Sequence, residues 1–123
     1  MKTVIKEQWV AALRSGDYKQ GAGALNREEE DDPKDICFCC LGVLTDLYAQ
    51  EKGKPFNCND DLRTVDNEEF LCEGVIKWAG LISKDPEVNI DDDSLDSVKR
   101  TLSGCNDSGL TFSEIADLIE KQL

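Results

Sequence analysis

Apolar residues recur at helical spacing at the start of the chain, where Ile5, Trp9, Ala12 and Leu13 fall at i, i+4, i+7 and i+8 and gather on one face. The spacing predicts a helix over Thr3–Ser15, with Thr3 as its N-cap and Gly16 as the left-handed residue that ends it. Over residues 17–25 the periodicity lapses and glycines stand at 21 and 23, which predicts extended chain or loop. Glu28, Glu29, Glu30, Asp31 and Asp32 then run unbroken into Pro33. Charge repulsion and the fixed proline φ predict a solvated loop there.

Further on, Ile36, Cys40, Val43, Leu44, Leu47 and Tyr48 keep helical spacing in a stretch that is apolar on almost every side. A central buried helix is expected at about 38–51, its first residues equally suited to a short strand. Residues 55–64 carry no period and read as a loop. Asp66 and Glu69 have the capping-box spacing, and Phe70, Leu71, Val75, Trp78 and Ala79 then share an inward face up to Gly80. Asp85-Pro86 marks a break. Leu95, Val98 and Leu102 predict a short amphipathic helix, with Asp91, Asp92 and Asp93 favouring its N-terminus. The last helix has the clearest signature: Thr111 as N-cap, Glu114 at N3, Leu110 stapled on Ile115, and Ile115, Leu118 and Ile119 inward. The sum is a single α+β domain over 1–123, predominantly helical. It has four to five short helices around a central buried helix, with room for one small β-hairpin between Tyr18 and Cys39.

Composition narrows the chemistry. The 123 residues include no histidine, which excludes Ser-His-Asp and Cys-His nucleophile pairs and histidine-ligated metals. Net charge is -12, unevenly spread. Residues 1–27 hold five basic against two acidic side chains, a net of +3, while the other 96 hold nine against 24, a net of -15. Such a field opposes nucleic-acid phosphates and anionic membranes and favours a basic partner. No apolar run approaches the roughly 18 residues of a membrane span, and an amphipathic stretch follows Met1-Lys2, so a cytosolic protein is expected.

Four blocks, WVAALRSGDYKQGAGAL at 9–25, FCCLGVLTDLY at 38–48, VIKWAGL at 75–81 and NDSGLTFSEIADLIE at 106–120, together resemble an uncharacterised family of small bacteriophage and prophage proteins. The resemblance implies an accessory protein that meets a host factor or a host signal. The acidic run at 28–32 lengthens the connection between the first two blocks. Thr45 stands where relatives often carry a cysteine.

Six cysteines, at 37, 39, 40, 58, 72 and 105, raise a zinc reading in which Cys37 and Cys40, in C-x-x-C spacing, join Cys58 and Cys72. Cys58 and Cys72 lie 14 positions apart, and Cys39-Cys40 belong to an apolar helix, so buried small hydrophobes are the expectation. A reducing cytosol argues against disulfides. Cys37 has no histidine to act as base, and Asp32 and Asp35 oppose its ionisation. The Asn106-Asp107-Ser108-Gly109 stretch fails as an EF-hand, whose glutamate would fall at Ile115 and whose first ligand would fall at Gly104. A polar pair before Ser108-Gly109 instead predicts a turn whose backbone N–H groups Asn106 and Asp107 satisfy.

The expected function is that of a non-enzymatic phage accessory protein with no cofactor and no metal. Its acidic surface, at Glu28, Glu29, Glu30, Asp31 and Asp32 and at Asp91, Asp92 and Asp93, binds a host protein with a basic surface as an inhibitor or decoy of a nucleic-acid-handling or defence factor. A rival reading is a binder of a nucleotide-like signal through Tyr18, Lys19 and Gln20 with Asn106 and Asp107. Direct contact with nucleic acid or membrane is not expected.

Overall fold

The computed structural model describes residues 1–21, 26–29, 32–53, 70–91 and 97–123, with backbone alone at 26–29, 32–36, 91 and 97. Helix α1 is Thr3–Ser15, and Ile5, Trp9, Val10 and Leu13 are its buried side. Gly16, at φ 79°, ends it as expected. Thr3 is not the cap: Lys2 holds that position without a side-chain bond, and its backbone N–H donates to Ala79 O at 2.8 Å.

Strands β1 (Lys19–Gln20), β2 (Asn26–Glu29) and β3 (Asp32–Phe38) form one sheet in the order β1-β3-β2, β1 parallel and β2 antiparallel to β3. The small hairpin therefore falls within 18–39, but the loop expected at 28–32 is corrected, since Glu28 and Glu29 lie in β2 and Asp32 opens β3. Pro33 is accommodated because the register passes from Glu28↔Ile36 to Glu29↔Asp32, leaving residues 33–35 as a bulge where a missing N–H costs no ladder bond. Glu30 and Asp31 lie outside the described residues.

Helix α2 (Cys40–Lys52) is the centre of the molecule. Residues 40–45 are buried all round, as in a helix with neighbours on every side. The fully buried Trp9 donates from Nε1 to Cys40 O at 3.0 Å, fixing α1 to its first turn. Helix α3 (Glu73–Ala79) is shorter than the pattern predicts. Phe70 and Leu71 precede it, with Leu71 N–H donating to Lys84 O at 2.9 Å, and Gly80 at φ 72° closes it. The loop expected at 55–64 and the capping pair Asp66 and Glu69 lie outside the described residues.

The helix expected from Leu95 to Leu102 is corrected. Strands β4 (Glu87–Asp91) and β5 (Ser97–Thr101) form an antiparallel hairpin instead. Val88 is fully buried and Ile90 half-buried, while Glu87 and Asn89 are exposed, the alternation of a strand packed on one face. Helix α4 (Leu102–Asp107) follows directly, and α5 (Phe112–Gln122) carries the full capping box. Glu114 N–H donates to Thr111 Oγ1 at 3.2 Å, and Thr111 N–H donates to Glu114 Oε1 at 3.3 Å. Helices α1 and α5 pack together, α2 packs against α1, α3 and α4, and β4 lies against α5. The architecture is thus α+β and mostly helical around α2.

Candidate functional site

Tyr18, Gln20 and Gly21 arrive on one short extended segment because β1 pairs with the end of β3, where Gly21 N–H donates to Phe38 O at 2.7 Å. Gly21 permits this approach. A Cβ on it would lie 2.5 Å from Cys37 Sγ and 2.9 Å from Cys37 Cβ, closer than real carbons approach. Asn106, in the last turn of α4 and only 4% exposed, reaches across to that segment. Its Nδ2 donates to Gly21 O at 2.7 Å, and its Oδ1 accepts from Gln20 Nε2 at 3.0 Å. Gln20 Nε2 also donates to Leu110 O at 2.7 Å, tying β1 to the connection between α4 and α5.

Tyr18 faces α2. Its hydroxyl donates to Asp46 Oδ2 at 2.5 Å, the same oxygen that accepts from Gln50 Nε2 at 2.6 Å, and its ring meets Phe38 edge-on at 5.1 Å. Burial, and next the hydrogen bond to Asp46, push the phenol well above its ordinary range. It is a locked hydrogen-bond donor, not a nucleophile or a base.

Three of the five residues expected to bind a ligand therefore converge, Gln20 and Asn106 in direct contact and Tyr18 two residues away on the same segment. Lys19 and Asp107 flank them, exposed. The polar pair Asn106 and Asp107 belongs to helix α4 rather than to a turn, and the Asn106 side chain bonds across the fold instead of to neighbouring N–H groups, which corrects the local reading. Sequence reasoning missed Asp46 and Gln50. Their only signal was two polar residues four apart on an apolar helix. It also missed Asp85, 8% exposed, whose carboxylate accepts from Ser103 N–H at 3.1 Å and from the Ser103 hydroxyl at the start of α4.

Four of the cysteines belong to the core. Cys37, Cys39, Cys40 and Cys105 stand outside any disulfide and are buried. Burial pushes the Cys39 thiol up to about 11 and the Cys40 thiol well above its ordinary value, which disfavours the thiolate that a nucleophile needs. Cys72 is disulfide-bonded, contrary to the expectation drawn from a reducing compartment, and its sulfur is therefore no zinc thiolate. Cys58 lies outside the described residues, among which no group of three His, Cys, Asp or Glu side chains could hold a metal ion. Thr45, fully buried, turns its hydroxyl back to Leu41 O at 3.0 Å within α2.

Both acidic runs fall where antiparallel strands reverse. The pairing of Glu29 with Asp32 leaves two residues to join β2 to β3, and the pairing of Asp91 with Ser97 leaves five to join β4 to β5. Asp92 and Asp93 lie outside the described residues. No helix among those described is long and apolar enough to cross a membrane.

Fold and site together define a small, mainly helical α+β domain whose interior polar groups pair one distant segment with another. The chain belongs to the family described as Domain of unknown function (DUF8296), which matches it over residues 1–123. No curated protein and no solved structure matches it.

Proposed function

We propose that the protein is a non-enzymatic binding protein that presents acidic surface to a basic partner, acting as an inhibitor or decoy that imitates nucleic-acid charge. The resemblance to small bacteriophage and prophage proteins makes that partner a host factor that handles nucleic acid or serves in defence, met in the cytosol. One observation carries the reading: residues 28–123 bear -15, and both acidic runs border the paired ends of hairpin strands, with Glu28 and Glu29 in β2, Asp32 opening β3 and Asp91 ending β4. Capture from bacterial lysate at about 50 and about 500 mM salt tests it, alongside a chain carrying Glu28→Gln, Glu29→Gln, Asp32→Asn and Asp91→Asn. Retention is expected at low salt only, and reduced for the neutralised chain. Retention indifferent to both changes overturns the proposal.

The convergence of Tyr18, Gln20 and Asn106 favours a second reading, sequestration of a nucleotide-like ligand. It ranks second because the Gln20 and Asn106 amides already bond to each other and to backbone carbonyls. A ligand at 100 times its dissociation constant adds about 2.7 kcal/mol of stability, so a nucleotide panel without any thermal shift removes it.

A further inference from the structure

Among the described residues, strand β4 has β5 on one side only, and a side chain holds the other side. Asn89 N–H donates to Gln122 Oε1 at 2.7 Å, and Gln122 Nε2 donates to Asn89 O at 2.8 Å. Both backbone groups of Asn89 thus point away from β5, and a primary amide makes the two bonds that the N–H and C=O of a directly opposite residue on an antiparallel strand would make. Gln122 is exposed, at the end of α5, so its side chain is replaceable without moving the helix. A groove of about 470 Å³ runs beside this edge, with Leu81, Ile82, Pro86 and Val88 as its apolar wall. Ile82 is 102% exposed, a large apolar side chain with no packing role within the chain.

The charge along the edge selects the occupant. A second copy pairing β4 antiparallel about Asn89 would set Glu87 opposite Asp91 of that copy, twice over, and like charges directly opposite destabilise a sheet pair. A strand with basic residues at those two positions meets opposite charge instead. Lys99, paired with Asn89 from β5, also lines the groove and is the basic side chain that such a segment meets there beside Glu87.

We propose that the outer edge of β4 is a strand-addition site for an extended, basic segment of a partner protein, with the Gln122 amide holding the site until that segment displaces it. The proposal rests on the basic-partner reading above and names where and how the partner docks. Main-chain bonds supply the register and the flanking carboxylates supply the choice of partner.

The probe is the peptide acetyl-Lys-Val-Thr-Val-Lys-amide, titrated into the full chain while the Asn89 amide resonance is followed by NMR. Two control peptides carry N-methylation at the central residue or glutamate in place of both lysines. The basic peptide is expected to shift the Asn89 resonance, N-methylation to weaken binding about tenfold or more, and the glutamate peptide not to bind. Gln122→Ala is expected to tighten binding about threefold, because no resident amide must leave. Equal affinity for the N-methylated peptide overturns strand addition while leaving the acidic-surface reading intact. Salt-sensitive capture of a partner together with no peptide effect at Asn89 overturns this site alone, whereas salt-indifferent capture overturns the function reading by itself.

Discussion

Asn106→Ala is the sharpest perturbation of the cluster between β1 and α4. The substitution removes the bond to Gly21 O at 2.7 Å and the bond from Gln20 at 3.0 Å, while the Gln20 bond to Leu110 O survives. At about 1 kcal/mol net for each bond, with Asn106 almost wholly buried, the expected loss is about 2 kcal/mol. For a chain of this size that lowers Tm by about 6–10 °C. Urea unfolding followed by circular dichroism measures it, and the slope of the transition should not change, because the native surface is the same. A double-mutant cycle with Gln20→Ala should return a coupling of about 1 kcal/mol, since one bond joins the two side chains directly. A loss below about 0.5 kcal/mol refutes the view that this contact holds β1 to α4. Wild-type stability with loss of a bound partner or ligand refutes it in a different way, by making Asn106 part of a binding surface.

Three further outcomes follow from the geometry. Gly21→Ala should destabilise by about 1–3 kcal/mol through its collision with Cys37, and a Cys37→Ala background, which removes the sulfur 2.5 Å away, should recover part of that loss in the same urea assay. Thr111→Ala breaks the capping box of α5 and should cost about 1 kcal/mol, read as a lower midpoint in thermal unfolding. Stability should fall as pH rises from about 9 towards 11: the Cys39 thiol ionises near 9 in the unfolded chain but only near 11 in the folded one, so the unfolded state loses its proton first and gains. Unfolding midpoints across that window should decline less steeply for Cys39→Ala, and an unchanged slope would show that the buried thiol does not contribute.

The parts of the fold that were legible are those in which a long period agrees with its end signals. Helix α1 runs into Gly16, α5 begins on a capping box, and α2 is apolar on every side; each needs only local information. The hairpin of β4 and β5 was not legible. Leu95, Val98 and Leu102 satisfy a helical spacing, and the aspartates before them suit a helix N-terminus as well as a strand reversal. What decides is the burial of Val88 against α5, a contact that no five-residue window contains. The start of α3 failed for a related reason. Phe70 fits the helical face in spacing, yet it stands outside the helix, 36% exposed under the Lys84 ammonium at 4.8 Å from its ring centre.

The site was legible as a set of residues and illegible as a mechanism. Tyr18, Gln20 and Asn106 stood out as polar groups among glycines, but a hydrogen bond across 86 positions leaves no local trace, and a local turn was the simpler reading. Long-range pairing also draws on the basic N-terminal stretch. Arg14, from that stretch, bonds to Asp117 at 2.5 Å and Glu120 at 2.7 Å on α5, and Lys6 donates to Glu120 O at 3.3 Å. Arg14 thus sets its charge against two carboxylates of α5 at the surface, while Lys6 meets a backbone carbonyl there. The acidic runs at the two hairpin reversals carry no matching stretch of bases in the sequence around them: Arg27 and Lys34 flank a run of five acids, and Lys99 and Arg100 follow a segment with Asp91, Asp92, Asp93 and Asp96. Under the proposed reading, charge concentrated in these two runs would select a partner where a diffuse field only repels.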